Sequence, residues 1–326
     1  MKHYRLVLQL CALAAFAGAS AQPYSITRIE GLPGATETYV GEMNARGQIV
    51  GVSRFPGGET RAFILENGVA TDLGSFGGDT SAGRINDHGA IVGYSENAQE
   101  ERQAFVWTRE LGMRPLFPTR TRSAAMDINN AGDIVGSYGN RPFVIRQGVV
   151  TFLPTIYGEY SEARAINDAG VIVGLDKPNT EFAFGIKWVD DMPTILPGGL
   201  AMWPGKINES GQIVGSHWAF HIHTEYSVTW IGNSVFELPS LVGVGMASGL
   251  NERGDMVGWV LDRNWQYGTA CLWRNLELVL LQSLITAPGW VLYGAGSISD
   301  DGRILGSGTY NGAQAAFMLT PVNGRR

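Results

Sequence analysis

Residues 83–93 read GRINDHGAIVG, and variants of this stretch recur six more times along the chain. The other copies are MNARGQIVG ending at Gly51, INNAGDIVG at Gly136, INDAGVIVG at Gly174, INESGQIVG at Gly215, LNERGDMVG at Gly258 and ISDDGRILG at Gly306. Their turn glycines (Gly47, Gly89, Gly132, Gly170, Gly211, Gly254 and Gly302) are 42, 43, 38, 41, 43 and 48 residues apart. This regular spacing indicates a repeat architecture.

Each copy predicts a β-hairpin. A short strand ends at the Asn, an Asn-x-x-Gly turn follows, and Ile-Val-Gly continues into a second strand. Asn bonds to its own neighbouring backbone and Gly takes positive φ without a Cβ clash, so both favour a tight turn. We therefore interpret the recurring asparagines as turn formers: Asn86, Asn129, Asn167, Asn208 and Asn251. The second strand is apolar on both faces, which predicts that it lies between other sheets and that its Gly admits a neighbouring backbone.

Two more strands complete each repeat. A third strand carries sequences such as Ala104–Trp107 (AFVW), and a fourth ends near Asp72-Leu73-Gly74 before a glycine-rich link. Four strands in about 42 residues, without helical periodicity, are typical of a β-propeller blade. The sequence thus predicts an all-β, seven-bladed β-propeller over residues 22–322, followed by a short tail at 323–326.

The first strand predicts how the ring closes. Residues 24–29 (YSITRI) form a strand-like segment ahead of the first repeat, with no earlier strand to pair with. The seventh repeat ends after its third strand, near Leu319. We expect the N-terminal strand to supply the missing fourth strand of the last blade, which would protect the sheet edges.

The alternation of IN-x-x-G-x-IVG with AFxW and DLGxxGG resembles the HAF-repeat family of bacterial extracellular proteins, over essentially the whole chain after residue 21. The resemblance implies an extracellular repeat protein and no particular activity. The chain departs from the pattern at Ser299, which replaces the turn Asn, and at Leu305, which replaces Val. The AFxW sequence is also poorly matched in repeats three to five.

The N-terminus predicts export. Residues 1–21 combine a basic start, an apolar run from Leu6 to Phe16 and the small residues Ala19-Ser20-Ala21, as in a cleaved signal peptide. We expect a secreted bacterial protein, periplasmic or extracellular, with no transmembrane segment after cleavage. Cleavage would remove Cys11 and leave Cys271 as the single cysteine of the mature chain, which we interpret as a small core residue of a third strand. The net charge of −6 argues against nucleic acid and anionic membranes as partners.

Function is expected where the repeats differ. Variable loops on a rigid scaffold often bind ligands, and aromatic residues collect in the predicted loops of the later blades, opposite the Asn-x-x-Gly turns. Tyr157 and Tyr160 lie among them. The predicted binding residues are Trp203, Trp218, His221, His223, Trp265, Tyr267 and Trp290. Their expected ligand is a glycan or an extracellular protein; the alternative is that the rings cap the core.

Catalysis and metal binding are alternatives. His221, His223 and Glu225 alternate along an extended segment and could ligate zinc, copper or nickel. We interpret them instead as the polar outer face of a long hairpin and expect no metal site. Loop carboxylates could converge on the channel as an acid–base pair: Asp79, Glu96, Glu159, Asp176, Glu181 and Asp262. Motifs for a nucleophilic serine, a phosphate loop and a zinc protease are absent from the sequence.

The sequence therefore predicts a monomeric, secreted binding or scaffold module without a cofactor, its interaction surface formed by blades four to six. Two alternatives stay open: a carbohydrate-active hydrolase or lyase, and a structural cell-surface repeat protein.

Overall fold

The computed structural model describes residues 24–118, 121–178, 182–219, 224–262 and 268–322. Within these residues the chain forms seven four-stranded antiparallel sheets, and the helical structure is limited to a 3-10 turn at Leu281–Leu284. Each sheet is a blade, and the innermost strands contact one another in order around a closed ring. The prediction of an all-β, seven-bladed β-propeller is confirmed.

The first four blades follow the repeats in chain order, from the innermost strand outward. Blade one contains β2 (Glu37–Met43), β3 (Ile49–Arg54), β4 (Thr60–Glu66) and β5 (Val69–Asp72). Blade two contains β6 (Gly77–Ile85), β7 (Ile91–Asn97), β8 (Arg102–Thr108) and β9 (Gly112–Pro115). Blade three contains β10 (Ser123–Ile128), β11 (Ile134–Tyr138), β12 (Arg141–Arg146) and β13 (Val149–Phe152). Blade four contains β14 (Tyr160–Ile166), β15 (Ile172–Lys177), β16 (Phe184–Val189) and β17 (Met192–Leu200).

The last three blades continue this order. Blade five contains β18 (Met202–Ile207), β19 (Ile213–Ala219), β20 (Thr224–Ile231) and β21 (Ser234–Glu237). Blade six contains β22 (Gly245–Leu250), β23 (Met256–Leu261), β24 (Gly268–Arg274) and β25 (Glu277–Leu280). Blade seven contains β26 (Trp290–Ile298), β27 (Ile304–Tyr310), β28 (Ala313–Pro321) and, outermost, β1 (Tyr24–Ile29).

Blade seven shows how the ring closes. β1 pairs antiparallel with β28, from Tyr24 opposite Pro321 to Ile29 opposite Ala316. Tyr24 and Ile29 are both buried. The N-terminal strand therefore completes the last blade, as the unpaired strand in the sequence predicted.

The Asn-x-x-Gly turns join the two innermost strands of each blade. In blade two, Asn86 Oδ1 accepts hydrogen bonds from the backbone N–H groups of His88 and Ala90, at 3.1 and 2.9 Å. Gly89 takes the positive φ, at +84°. Asn thus stabilises the turn through its side chain, and Gly supplies the left-handed backbone.

The glycine of the second strand lies against a β-bulge in the innermost strand. A Cβ added to Gly136 would lie 2.0 Å from the carbonyl oxygen of Ala124, and 3.0 Å from the ring of Phe143. The β10–β11 register shifts between Ala125 and Asp127, one step along the strand. The predicted close approach of a neighbouring backbone is therefore confirmed.

The core lies between the blades. The third-strand tryptophans of blades four, five and six are almost completely buried: Trp188, Trp230 and Trp273. Their indole N–H groups donate to the carbonyl oxygens of Pro154, Pro197 and Pro239, at 2.8, 2.7 and 2.7 Å. Each tryptophan thus fills the space between two blades, and its one polar group bonds to the last strand of the preceding blade or to the link that follows it.

Residues 1–21, the predicted signal peptide, lie outside the described residues, as does the tail at 323–326. Among the described residues no helix has the length and apolar character needed to cross a membrane.

Candidate functional site

The innermost strands surround a central channel, and alternate residues on them face it. The fourth residue before the turn Asn, or before Ser299 in blade seven, is buried in six of the seven blades. The third residue before the turn is partly or fully exposed in all seven blades, and the fifth residue before the turn is partly or fully exposed in six of them. We call the channel end beside the Asn-x-x-Gly turns the turn mouth and the opposite end the loop mouth. The level two residues before the turn Asn is the waist.

The turn mouth is held together by a ring of hydrogen bonds. At six blade junctions, the side chain of the second turn residue accepts from the backbone N–H of the equivalent residue in the preceding blade, at 2.7–2.9 Å. The acceptors are Asp87, Asn130, Asp168, Glu209, Glu252 and Asp300. These polar side chains are therefore occupied in joining blades.

The turn asparagines form a second ring. Their Nδ2 atoms donate to the carbonyl oxygen of the equivalent residue in the next blade at 3.0–3.1 Å, in the series Asn44, Asn86, Asn129, Asn167, Asn208 and Asn251. Ser299 ends the series, because its hydroxyl bonds within its own turn to Asp301 and Arg303. The asparagines are turn formers, as predicted, and they also fasten one blade to the next.

A cavity of about 390 Å³ opens at the turn mouth and reaches the waist, where Glu42, Asp127 and Lys206 line it. The Lys206 ammonium lies 2.5 Å from Glu42 Oε1 and 4.0 Å from Asp127 Oδ1. Arg84 Nε lies 3.6 Å from Asp127 Oδ1. Two carboxylates and two cations from four different blades thus meet across the channel, with their formal charges balanced.

The two waist carboxylates differ in acidity. Burial alone would raise the pKa of Glu42, but the charges of Lys206 and Arg84 outweigh it and hold that pKa below its usual range. Burial raises the pKa of Asp127, and the same two cations only partly oppose it. This environment favours an ionised Glu42 beside an Asp127 that takes up a proton more readily.

The loop mouth carries a cluster of aromatic and cationic groups where blades four and five meet. Trp203, predicted as a binding residue, is partly exposed on β18. The Lys177 ammonium lies 4.9 Å from the centre of the Trp203 ring, and the Arg164 guanidinium carbon lies 5.4 Å from it. The Lys177 ammonium also lies 5.4 Å from the centre of the Tyr160 ring. We call Tyr160, Arg164, Lys177 and Trp203 the loop-mouth cluster.

Glu162 forms hydrogen bonds to two members of this cluster. Its carboxylate accepts from the Tyr160 hydroxyl at 2.8 Å and from Arg164 Nε at 2.5 Å, and the side chain is 7% exposed. Burial, together with the neighbouring charge of Glu162, raises the pKa of Tyr160 to about 12. Tyr160 therefore stays a neutral phenol at any physiological pH, with its ring held beside Lys177.

Two other predicted tryptophans lie in different surroundings. Trp218, on β19, is 37% exposed, and its backbone N–H donates to the carbonyl oxygen of Ala201 at 3.0 Å. Trp290 begins β26, is 8% exposed and packs on Tyr310 and Phe317, so it belongs to the core. Its ring is therefore not available for a surface ligand.

Four predicted binding residues, His221, His223, Trp265 and Tyr267, lie outside the described residues. Glu225, the third residue of the possible metal cluster, accepts a hydrogen bond from Ser216. In the described ranges, no group of three His, Cys, Asp or Glu side chains is placed to hold a metal ion.

Three of the loop carboxylates considered for catalysis bond to other groups. Asp79 accepts from the Thr60 N–H at 2.8 Å, and Glu96 bonds to Arg102 at 3.2 Å. Asp176 is completely buried and accepts from three backbone N–H groups, at residues 156–158, and from the Ser161 hydroxyl. Glu181 lies outside the described residues. The carboxylates that meet at the waist of the channel are instead Glu42 and Asp127.

Cys271 is completely buried on β24, and burial raises the pKa of its thiol. A buried thiol that resists ionisation is unreactive. The interpretation of Cys271 as a small core residue is confirmed.

The charged residues of the waist and the cations of the loop mouth were not predicted from the sequence. Both sets can nevertheless be seen when the repeats are aligned. Glu42, Arg84, Asp127 and Lys206 all occupy the position two residues before the turn Asn. Arg164 stands three residues before it, where four other repeats have Gly. Charged residues recurring at one position of the aligned repeats were the available signal.

Comparisons with known proteins show the fold alone. No protein-family model matches the sequence, and a search of curated proteins also gives no match. Among solved structures, the chain is similar to the β-propeller domain of the Trilobed protease from Pyrococcus furiosus, with 10% identity and a TM-score of 0.61 over 89% of this chain and 97% of that chain. A streptogramin B lyase structure is similar at 10% identity and a TM-score of 0.61, covering 93% of this chain and 99% of that chain.

A puromycin-hydrolyzing peptidase from Mycobacterium tuberculosis is also similar, at 14% identity and a TM-score of 0.59, over 93% of this chain. The chain spans 54% of the length of that peptidase. Because the chains similar to this one include peptidases and a lyase, the likeness supports a propeller module without assigning it a reaction.

Proposed function

We propose that the protein is a binding module that holds a glycan at the loop mouth, where blades four and five meet. The observation that carries the proposal is the partly exposed Trp203 ring with two cationic groups 4.9 and 5.4 Å from its centre. A flat aromatic face with charged donors around it suits a sugar ring, which stacks through its C–H face and bonds through its hydroxyl groups.

Two further features support the loop mouth over the turn mouth. The polar side chains of the turn mouth are engaged in the ring of inter-blade hydrogen bonds, and their sequence is nearly the same in every blade. The loop mouth differs between blades, with Trp203 in blade five where blades two and three have Ser81 and Ala124. Residues that differ on a repeated scaffold are where specificity is expected.

The test is a glycan array followed by calorimetry with the purified protein. We expect at least one glycan to bind, and Trp203→Ala to weaken it by about tenfold or more. Phe236→Ala is the matched control, because Phe236 is also an exposed aromatic residue of blade five but lies on the outermost strand. Thermal melting of each variant monitors folding. Binding of peptides instead of glycans, or no loss in Trp203→Ala, would contradict the proposal; no ligand at all would favour a structural repeat protein.

A second candidate function is acid–base chemistry on a polysaccharide at the waist. The supporting observation is that Glu42 and Asp127 face one cavity, with their pKa values moved in opposite directions. In a hydrolase, Asp127 would protonate the leaving sugar oxygen while ionised Glu42 accepts a proton from the attacking water. Turnover of a bound polysaccharide that is abolished in Asp127→Asn but retained in Trp203→Ala at saturating substrate would support it. Complete absence of turnover would leave the binding module.

We also propose that the protein acts outside the cytoplasm, which residues 1–21 support by their likeness to a signal peptide. N-terminal sequencing of protein from the cell envelope and the medium should begin at Gln22. A chain that stays in the cytoplasm with Met1 would contradict this.

A further inference from the structure

The Lys177 side chain has an unusual setting for a lysine. Its ammonium lies 4.9 Å from the centre of the Trp203 ring and 5.4 Å from that of Tyr160. Among the residues that the structure describes, no carboxylate lies within ion-pairing distance of it. The charge therefore lies beside two aromatic faces, with no ion-pair partner among the residues that the structure describes.

Arg164 adds a second cation to the same place. Its Nε is bonded to Glu162, so the orientation of the guanidinium is fixed, and the side chain is 33% exposed. Arg122, exposed just before β10, acts on the same cluster, since its charge lowers the pKa of Tyr160 against the stronger effects of burial and Glu162. Three cations thus act on a small region of a chain whose net charge is −6.

The carboxylates of the same blade bond to other groups or lie at the surface. Glu162 is already shared between Tyr160 and Arg164, and Asp176 is occupied by backbone N–H groups and Ser161. Glu159, just before Tyr160, is exposed. Lys177 and Arg164 thus place two cationic groups beside the face of Trp203.

We propose that the glycan held at the loop mouth is anionic, with its sugar ring on Trp203 and its acidic group at Lys177 and Arg164. This inference rests on the proposed function and specifies the ligand class. A neutral glycan offers the Lys177 ammonium no opposite charge, whereas an anionic one does and gains a charge-assisted hydrogen bond. Salt screens the attraction between these two cations and the acidic group, so high salt should weaken binding of the anionic glycan.

The test is calorimetry with two forms of one polymer, oligogalacturonate and its fully methyl-esterified form, with a sulfated galactan oligosaccharide as a third probe. We expect the wild-type protein to bind oligogalacturonate or the sulfated oligosaccharide at least about tenfold more tightly than the ester. The probe that binds distinguishes carboxylate from sulfate. Equal binding of charged and neutral forms would overturn the inference and leave the proposed function intact, whereas no binding of any glycan would overturn both.

Three variants locate the effect. Lys177→Met keeps most of the aliphatic side chain and should weaken binding of the anionic probe about tenfold while leaving binding of the ester within about twofold. Lys187→Met, a matched change on β16 of the same blade, should leave both unchanged. Glu159→Gln removes a nearby negative charge and should strengthen binding of the anionic probe. If Lys177→Met and Lys187→Met behave alike while both remain folded, the assignment of the acidic group to Lys177 is wrong.

Discussion

The Lys206 ammonium of blade five and the Glu42 carboxylate of blade one meet across the central channel, 2.5 Å apart and separated by 164 residues in sequence. Neighbouring blades are joined through their cores and turn hydrogen bonds. This ion pair adds a brace between blades that do not adjoin. Its partners, Asp127 and Arg84, extend the brace to blades two and three.

Removing one partner of this brace should cost more stability than removing a matched pair. Lys206→Met leaves Glu42 and Asp127 with Arg84 as their cation, and should lower the free energy of unfolding by about 3 kcal/mol. The double variant Glu42→Gln with Lys206→Met restores charge balance and should lose clearly less. Denaturant unfolding measures both, with Lys187→Met as the control outside the channel. A single variant no less stable than the double would show that the waist charges are independent.

The asparagine ring stops at Ser299, which predicts a stabilising substitution. Ser299→Asn places an amide where it can donate to the carbonyl oxygen of Asn44, as Asn251 does to Ser299 at 3.1 Å. The new bond should raise the free energy of unfolding by about 1 kcal/mol. The reverse change, Asn251→Ser, should lower it by a similar amount. A Ser299→Asn variant that melts below the wild type would mean that the junction of blades seven and one has no room for the amide.

Closure by β1 should be visible in point variants of that strand. Ile29 is buried at 4% exposure, so Ile29→Ala should lower the free energy of unfolding by about 3 kcal/mol. Thr27, exposed on the same strand, is the control, and Thr27→Ala should change it by less than about 0.5 kcal/mol. Equal effects of the two would indicate that β1 does not hold the last blade. Deletion of residues 24–30 should lower the melting temperature further.

Glu252 provides a pH test of the turn mouth. Burial raises its pKa, and the charges of Glu209, Asp300 and Asp168 add to this. The folded protein thus holds the proton more tightly than the unfolded chain, so ionisation of Glu252 reduces stability as pH rises through the unfolded value of about 4.3. Glu252→Gln stays neutral and keeps an oxygen for the Glu209 N–H. Its stability relative to the wild type should increase by a few tenths of a kcal/mol between about pH 4 and pH 7.

Urea unfolding of Glu252→Gln and wild type across this range measures the difference. Glu277→Gln, on the outermost strand of blade six, changes the net charge equally and is the control. A difference that is constant or falls with rising pH would contradict the assigned direction.

Most of the fold could be predicted because each blade carries its own turn and strand pattern. The recurring Asn and Gly positions, Asn86 and Gly89 in blade two, predict the hairpins. The unpaired strand at residues 24–29 predicts how the ring closes. The second role of the asparagines could not be predicted, because their Nδ2 donors reach into the next blade only once the blades stand side by side.

The candidate site was only partly predictable. Trp203 stood out as an aromatic residue in a variable region, but Lys177 is brought to it by strand pairing and blade packing. Trp290 has the same residue type, yet it starts a strand and packs on Phe317 in the core. Glu42 and Lys206 lie 164 residues apart, and no local pattern pairs them. The distance between residues of different blades depends on how the ring closes, and the spacing of those residues along the sequence does not reveal it.

Residue-resolved protection is the most direct test of ligand binding at the loop mouth. Hydroxyl-radical footprinting with and without oligogalacturonate should show reduced labelling of Trp203 and Tyr160 and unchanged labelling of Phe236 on the outermost strand of blade five. Unchanged labelling of Trp203 and Tyr160 at a ligand concentration that saturates the protein would contradict the proposed site.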